Sequence, residues 1–471
     1  MVFSSTVFLF LFLPLLLLIY FSKFVKTNKV RNIILLISSL VFYAYGEPIY
    51  IFLMIASIVI NYLFGLLINK YAEKKRKICF ATAITINIAI LVIFKYLNFI
   101  FDNLELLINK DLLAYDIILP IGISFYTFQI MSYIIDVYRG DAKVQKNLLY
   151  VALYVTMFPQ LVAGPIVRYD TIADEIENRK HTSKDFSEGV QRFIFGLGKK
   201  VILSNYLAII ADNIFGANEA SVATAWLGAI AYTLQIYFDF SGYSDMAIGL
   251  GRVFGFHFEE NFNYPYIANS ITDFWRRWHI SLSKWFKEYV YIPLGGNRVK
   301  RGRMIFNIFI VWLLTGIWHG ANWTFIAWGI FYFILLLIEK LTGIHKNEKF
   351  TKVFGHIYAI FFVIMGWVFF RSENIQMAIS YIGRMFGMGA KGVIDSAFIE
   401  YMKQGIIVLI ISIIAALPIA SNIYNIGRKA KNSKVRLGVT IFKCAFLCVI
   451  FILSIAICVS QTYNPFIYFN F

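Results

Sequence analysis

Apolar runs recur along this chain from end to end, and short polar loops separate them. A helix needs about 20 apolar residues to cross the hydrocarbon core of a bilayer, and several runs reach that length. Only helices and closed barrels span lipid, and these continuous runs lack the alternating pattern of a barrel strand. The runs cover residues 2–21, 32–45, 49–68, 78–101, 117–138, 193–210, 223–240, 306–314, 325–338, 353–369, 405–419 and 439–459.

This pattern predicts an all-α polytopic membrane protein. We expect roughly 10–12 helices, including re-entrant and interfacial segments, around a central cavity. The expected organisation is a single transmembrane domain over residues 1–460, with its core motifs in 117–340. Residues 461–471 are expected to form an extracytoplasmic C-terminal tail.

Proline interrupts two of the apolar stretches. The run 117–138 contains Pro120, and the stretch 148–165 contains Pro159 and ends at Pro165. Proline lacks a backbone donor and clashes with the preceding helical turn. We therefore expect a broken or interior helix in the first stretch and a bent or re-entrant segment in the second.

The charge distribution predicts the orientation of the chain. The chain has 59% hydrophobic and 15% charged residues, with a formal net charge of +17. Much of the positive charge clusters in short loops such as 23–31, 70–77 and 428–436. The positive-inside rule places these loops in the cytoplasm and both termini outside, and it explains the charge more simply than nucleic-acid binding. The run 2–21 lacks a basic leader and is predicted to be a retained span.

Polar chemistry concentrates in residues 271–322, which hold two of the six histidines. At about 100° per residue, the segment 271–289 forms one amphipathic helix. Its polar arc holds Arg276 and Arg277, and basic amphipathic helices of this type lie along membrane interfaces. His279 falls at the edge of the apolar arc, so we expect its side chain to point away from bulk water.

His319 lies between two apolar runs, in a block that ends at Asn322. An ionisable side chain at membrane depth is costly and indicates a functional site by default. Imidazole is also the usual general base near neutral pH. Gly316 and Gly320 would let a substrate or a neighbouring helix approach closely. For His319 and for His279, a packing histidine bonded to a carbonyl is the alternative.

Two acids also lie at or near membrane depth, Asp239 and Asp245. Acids at this depth normally pair or line a polar cavity. We expect them to pair with arginines such as Arg252, Arg276 or Arg277, and this structural role is favoured over direct catalysis.

The cysteines and histidines do not have the spacing of a metal site. The four cysteines contain no Cys-x-x-Cys pair, and neither histidine block has metal-ligand spacing. We therefore predict neither a metal centre nor a disulfide framework.

Several long motifs resemble those of the membrane-bound O-acyltransferase family. They are the run 273–297, the Trp-His-Gly-Ala-Asn block at 318–322, Phe-Pro-Gln-Leu-Val-Ala-Gly-Pro-Ile at 158–166, Tyr-Phe-Asp-Phe-Ser-Gly-Tyr-Ser-Asp at 237–245, and the opening Met-Val-Phe-Ser-Ser. More narrowly, the chain is similar to the bacterial branch with alginate O-acetylase, the peptidoglycan and cellulose acetylation proteins, and the teichoic-acid D-alanylation channel protein. The resemblance covers nearly the whole chain.

The resemblance implies roles for the candidate residues. His319 would be the invariant catalytic histidine and general base, and His279 its partner in the same cavity. In the mechanism that we expect from these residues, His279 or Asn322 polarises the substrate carbonyl or holds the developing oxyanion. Asp239 and Asp245 would be supporting polar groups.

The resemblance also implies a reaction and its partners. An acyl group, acetyl rather than D-alanyl, would pass from cytoplasmic acetyl-CoA across the plasma membrane of a bacterial cell. Independently of the resemblance, we expect basic residues at the inner face, among them Arg276, Arg277 and Arg298, to attract the phosphates of the thioester. Besides membrane lipids, the implied partners are an extracytoplasmic SGNH-hydrolase-like acetyltransferase and a polysaccharide acceptor.

The C-terminal residues Phe-Ile-Tyr-Phe-Asn-Phe contain one hydroxyl, that of Tyr468. Composition alone favours an aromatic anchor at the membrane interface. The resemblance implies instead that the tail enters the cavity from outside and that Tyr468 carries the acyl group. A phenolic oxygen has the right chemistry, because it becomes nucleophilic once a base takes its proton.

Two other function classes stay open from the sequence. A transporter or channel for a polysaccharide precursor would also have broken helices, buried acids and a cavity, but it would consume no thioester. A lipid acyltransferase would acylate lipid without a secreted partner. The tail motif argues against both classes, and the identity of the polysaccharide stays open.

Overall fold

A computed structural model of the chain describes residues 1–109, 116–460 and 463–467. These residues form α-helices with short π-helical and 3-10 turns, and no strand occurs among them. Within them, seven helices are long and apolar enough to cross a membrane, which confirms the all-α polytopic class. The seven are Tyr50–Lys70, Glu73–Ile108, Ser183–Phe215, Arg301–His319, Trp323–Thr342, Ser396–Ala415 and Ser433–Ser460, and two shorter apolar helices are Phe8–Tyr20 and Gly355–Arg371.

The contacts divide the chain into two compact units. The first unit comprises Met1–Phe193 and Met246–Glu259, and the second comprises Ile194–Asp245 and Glu260–Phe471. The predicted boundaries, a domain over 1–460 and a tail after it, stay a prediction.

The first unit contains the interrupted stretches anticipated from the prolines. α6 begins directly after Gly122, which has a φ of 77°, and its side chains are buried from Ile123 to Val137. Met157 separates α7 from the short α8, so the stretch that begins at residue 148 is bent. Both predictions are confirmed. The helices are α1 (Leu13–Tyr20), α2 (Asn28–Ala44), α3 (Tyr50–Lys70), α4 (Glu73–Leu91), α5 (Leu97–Ile108), α6 (Ile123–Arg139), α7 (Leu148–Thr156), α8 (Phe158–Leu161) and α9 (Tyr169–Asn178).

The next helices carry the first polar residues of the candidate site. They are α10 (Ser183–Gly198), a π-helical turn (Lys199–Ser204), α11 (Asn205–Phe215) and α12 (Val222–Val253). Gly242 of α12 lies directly against the backbone at the start of the π-helical turn. A Cβ at Gly242 would lie 2.8 Å from the carbonyl oxygen of Gly196 and 3.0 Å from the backbone nitrogen of Lys200. This close approach places the lysines of the turn beside the acids of α12.

The second unit contains both candidate histidines. Its remaining helices are α13 (Ile271–Arg277), α14 (Ile280–Phe286), α15 (Arg301–His319), α16 (Trp323–Thr342), α17 (Glu348–Val353), α18 (Gly355–Arg371), α19 (Ile375–Met385), α20 (Ser396–Ala415), α21 (Ile419–Arg428) and α22 (Ser433–Ser460). Further short turns are π-helical (Phe8–Phe12, Val92–Tyr96, Lys287–Tyr291) or 3-10 (Pro265–Ile267, Ile344–Lys346).

Glycines bring α15 and α16 together backbone to backbone. A Cβ at Gly316 would collide with the carbonyl oxygen of Phe325, and one at Gly320 would collide with the Phe325 ring. A Cβ at Gly329 would lie 2.5 Å from the carbonyl oxygen of Trp312. The glycines beside His319 were expected to admit either a substrate or a neighbouring helix. These contacts confirm the close approach of a neighbouring helix.

Candidate active site

His279 lies at a break between α13 and α14. The segment 271–289 was predicted to be one helix, and that prediction is wrong, because the helix stops at Arg277 and His279 adopts a φ of 44°. The left-handed conformation costs a non-glycine residue about 1–2 kcal/mol, so surrounding contacts must hold it. The predicted burial is confirmed, since His279 is 1% exposed.

Asn261, in the irregular segment before α13, holds this break. Its backbone oxygen accepts a hydrogen bond from the backbone N–H of Ile280 at 3.0 Å. Its side-chain Oδ1 accepts from the backbone N–H of Ser281 at 3.2 Å and from the Ser281 hydroxyl at 2.9 Å. The same oxygen lies 3.1 Å from Nδ1 of His279. One residue therefore satisfies the first donors of α14 and fixes the imidazole.

These contacts determine which nitrogen of His279 carries the hydrogen. A backbone N–H can only donate, so the Asn261 atom facing Ser281 is the amide oxygen. That oxygen cannot donate, so Nδ1 of His279 must do so. In the neutral ring Nε2 then holds a lone pair, and this buried atom has no hydrogen-bond partner among residues 1–109, 116–460 and 463–467. Nε2 is therefore an acceptor.

Burial determines the charge of the ring as well. His279 lies outside the seven helices that are long and apolar enough to cross a membrane. Removal from water disfavours the charged imidazolium and lowers the pKa of His279 to about 3. The ring is consequently neutral at physiological pH, and Nε2 acts as a hydrogen-bond acceptor rather than as a strong base.

His319 is the last residue of α15 and is 3% exposed. Its ring is edge-on to Trp328 and Phe370, with centroid distances of 5.0 and 5.1 Å. The ring of Trp318 contacts both histidines, at 5.1 Å from His319 and 6.0 Å from His279. The structure thus brings together, through one tryptophan, two histidines that lie 40 positions apart in the sequence.

The two acids of α12 pair with lysines. Asp239 Oδ1 lies 2.6 Å from Nζ of Lys200, and Asp245 Oδ2 lies 2.6 Å from Nζ of Lys199. The prediction that these acids pair is confirmed, but the choice of arginine partners is wrong. The π-helical turn and the close approach at Gly242 set lysines opposite α12, which the sequence pattern does not reveal.

The predicted arginines lie elsewhere. Arg252 pairs with a glutamate of α10, and Arg277 Nε donates to Asp273 Oδ2 at 2.9 Å. Arg276 and Arg298 are exposed. The role of Arg276, Arg277 and Arg298 in binding thioester phosphates stays a prediction.

Asn322 caps the N-terminus of α16. Its Oδ1 accepts from the backbone N–H of Thr324 at 3.0 Å, and its Nδ2 donates to the carbonyl oxygen of Glu373 at 2.9 Å. Both ends of the amide are used in holding the loop after His319. Its predicted role in polarising the substrate stays a prediction.

The candidate carrier Tyr468 lies outside the described residues, and its role stays a prediction. The tail is described as far as Ile467, whose backbone N–H donates to Asp239 Oδ2 at 2.9 Å. Phe240, the next residue of α12, packs edge-on against His279 with centroids 4.6 Å apart. The described end of the tail therefore binds α12 at Asp239, the residue before the one that contacts His279.

Two residues of this site escaped the sequence analysis. Lys200 offered a signal, because a lysine inside the apolar run 193–210 is costly and needs a buried partner. Asn261 offered none beyond its place in a polar, irregular segment. Its partner His279 is 18 positions away. The pairing depends on the left-handed backbone conformation of His279, which no glycine or proline in the sequence indicates.

Glu339 of α16 holds the first turn of α13, and we expect Glu339→Gln to destabilise the protein. The buried carboxylate accepts from the backbone N–H of Ile271 at 2.6 Å, and from the backbone N–H and hydroxyl of Thr272 at 2.9 and 2.6 Å. Glutamine would turn an NH₂ group towards one of these donors, and an unmet buried donor costs about 1–3 kcal/mol. A lower thermal unfolding midpoint in detergent would register this loss.

The matched control for this substitution is Glu348→Gln. The side chain of Glu348 is 81% exposed and pairs with Lys352 one turn along the helix. Exposed pairs of this kind contribute about 0–1 kcal/mol. Equal midpoints for the Glu339 and Glu348 variants would show that α13 does not depend on the buried carboxylate.

Sequence comparisons connect the chain with known acyltransferases. The profile of MBOAT, the membrane-bound O-acyltransferase family, matches residues 141–382, which include both histidines. A probable alginate O-acetylase of Pseudomonas putida is 40% identical over 100% of both chains. A peptidoglycan O-acetyltransferase of Helicobacter pylori is 35% identical over 82% of this chain and 80% of its own length. A teichoic acid D-alanyltransferase of Bacillus subtilis is 27% identical over 54% of this chain and 69% of its own.

Proposed function

Because this chain belongs to the membrane-bound O-acyltransferase family and is a multi-pass membrane O-acyltransferase, we propose that it moves acetyl groups from cytoplasmic acetyl-CoA across the membrane. The acetyl groups serve the O-acetylation of an extracellular or cell-wall polysaccharide. Greater identity to the alginate O-acetylase, 40%, than to the D-alanyltransferase, 27%, supports acetyl as the transferred group. The basic loops support a place in the bacterial plasma membrane with both termini outside.

The observation that carries this proposal is the contact of two buried histidines with one tryptophan. His279 and His319 both pack against Trp318 in a site shielded from water. Water exclusion suits acyl transfer, because it strengthens each polar interaction and limits hydrolysis of the thioester.

In the proposed reaction, a hydroxyl oxygen attacks the carbonyl carbon of the thioester. The carbon–sulfur bond breaks, an ester forms, and CoA leaves as a thiol. His319 takes the proton of the hydroxyl and returns it to the departing sulfur. Nε2 of His279 accepts a hydrogen bond that orients the hydroxyl or the His319 ring. A neutral His279 protonated on Nδ1 cannot donate from Nε2, so we do not assign the oxyanion to it.

The first acceptor in this proposal is the hydroxyl of Tyr468. The hydrogen bond from Ile467 to Asp239 supports this role, because it holds the preceding residue next to the α12 position that contacts His279. The acetyl group then passes to an extracytoplasmic SGNH-hydrolase-like acetyltransferase and on to a polysaccharide hydroxyl. The exposed Arg276 and Arg298 suit the phosphates of acetyl-CoA.

The proposal is tested by following acetyl-CoA in inside-out membrane vesicles. Vesicles that contain the chain are expected to release free CoA from carbonyl-labelled acetyl-CoA and to retain label on the chain as a base-labile ester. Vesicles without the chain serve as the control. No chain-dependent release of CoA would favour a transporter of polysaccharide precursors, and label recovered in extracted lipid would favour a lipid acyltransferase.

A further inference from the structure

The C-terminal tail, as far as it is described, ends on a buried ion pair. Lys200 and Asp239 are 2% and 1% exposed. The Lys200 ammonium donates to the carbonyl oxygen of Pro465, and the backbone N–H of Ile467 donates to Asp239 Oδ2 at 2.9 Å. The tail therefore bonds to both charges of the pair.

The tail offers an acceptor to the cation and a donor to the anion, which is what a buried ion pair requires. An ammonium has three donors and a carboxylate only acceptors, so the pair alone leaves hydrogen-bonding capacity unused. A buried pair is tolerated when further hydrogen bonds satisfy that capacity. The tail offers a carbonyl oxygen to the cation and an N–H to the anion. Both groups belong to the backbone, so they act whatever the side chains of the tail.

Phe466 places an aromatic anchor between these two backbone contacts. Its side chain is buried, with its ring centroid 4.9 Å from that of Tyr243 and 5.8 Å from the Lys200 ammonium. Asp239 and Tyr243 are four positions apart on α12 and therefore share one face of that helix. The tail thus contacts α12 through a charge and a ring on the same side.

We propose that the Lys200–Asp239 pair is the docking site of the C-terminal tail and the positioning device for Tyr468. The positioning role rests on the proposed function. Asp239 holds the residue before Tyr468, and its neighbour Phe240 packs against His279. In this proposal docking on the pair fixes the residue before Tyr468 at the α12 position that precedes Phe240, so Lys200 and Asp239 act through Tyr468 and not on the acyl group.

The test compares two double variants of the full chain in detergent. Lys200→Met with Asp239→Leu removes both charges together, because a single substitution would leave an uncompensated buried charge. The control, Lys199→Met with Asp245→Leu, removes the neighbouring ion pair, which joins the same turn and helix at the same 2.6 Å separation. Should the first variant not accumulate, Lys200→Met with Asp239→Ala also removes both charges and the acceptor of the Ile467 N–H, without the additional volume of leucine.

The first readout is hydrogen–deuterium exchange in the C-terminal peptide from residue 463. We expect exchange at least tenfold faster in the Lys200/Asp239 variant than in the wild type, and within twofold of the wild type in the control. Equal exchange in the wild type and the Lys200/Asp239 variant would overturn the docking site. This readout does not depend on catalysis.

The second readout is the O-acetyl content of cell polysaccharide at matched protein levels. We expect at least a tenfold loss in the Lys200/Asp239 variant, as in Tyr468→Phe. Fast tail exchange with O-acetyl content within twofold of the wild type would overturn the positioning role. If cells with and without the chain have equal O-acetyl content, the proposed function fails, while the exchange measurement still decides whether the tail docks.

Discussion

Substituting alanine for His319 is expected to lower acyl transfer by about 10²- to 10⁴-fold, the usual contribution of a general base. His319 is buried at the end of α15, where Trp318, Trp328 and Phe370 surround its ring. The second histidine of the site does not replace it as a base, because Asn261 holds its Nδ1 as the donor and burial keeps its ring neutral.

The alanine variant also removes a ring from an aromatic cluster, so packing and chemistry must be separated. His319→Gln retains much of the side-chain volume and a polar end but has no basic nitrogen. Loss of transfer in both variants, at matched membrane levels, would assign His319 to the chemistry. His257→Ala is the control, because the side chain of His257 is 47% exposed and pairs with Glu175.

Transfer is measured as O-acetyl content of the polysaccharide in cells and as release of CoA in vesicles. The His257 variant is expected to match the wild type in both. Full transfer by His319→Gln would make His319 a packing residue and would remove the main support for the proposed mechanism.

The membrane helices could be predicted from the sequence because each apolar run is a local property of the chain. The buried face of the segment 271–289 could be predicted for the same reason, and Trp275, Trp278 and Trp285 are all buried. The second prediction is correct although the segment is not one straight helix, because the same residues face inwards on both sides of the break at His279. The break itself depends on a partner outside the segment.

Long-range pairings mark the limit of what the sequence could predict for the site. Asp239 was expected to find an arginine, whereas Lys200 reaches it from the π-helical turn. Such a turn shifts the helical register by one residue, and the apolar pattern of the run does not encode that shift. The contact of His279 and His319 with one tryptophan also depends on packing between helices distant in sequence.

Asn261 carries the second prediction with a large expected effect, because it fixes the tautomer of His279. Asn261→Leu would leave Nδ1 of His279 and the backbone N–H of Ser281 without their acceptor. We expect at least a tenfold loss of acyl transfer, since the ring would no longer be held with Nε2 as the accepting nitrogen. A merely structural role would be expected to lower stability or protein level together with transfer.

Asn261→Asp separates positioning from structure through the pH dependence of transfer. The carboxylate still accepts from Nδ1 and from Ser281, so the local fold is retained. Its negative charge beside the ring stabilises the imidazolium and raises the pKa of His279 above the wild-type value of about 3. Below the raised pKa the ring binds a proton at Nε2 and can no longer accept a hydrogen bond.

The expected result is a new acidic limb in the pH profile of Asn261→Asp. Burial lowers the pKa of wild-type His279 to about 3, so its protonation does not limit transfer near neutrality. The variant is expected to lose transfer as pH falls through the raised pKa and to recover it as pH rises. CoA release from vesicles between pH 5 and 8, a range set by the ordinary titration of histidine, measures this difference. Parallel profiles for the two proteins would show that the protonation of His279 does not matter to the reaction, and would leave Asn261 as a residue that only shapes the turn.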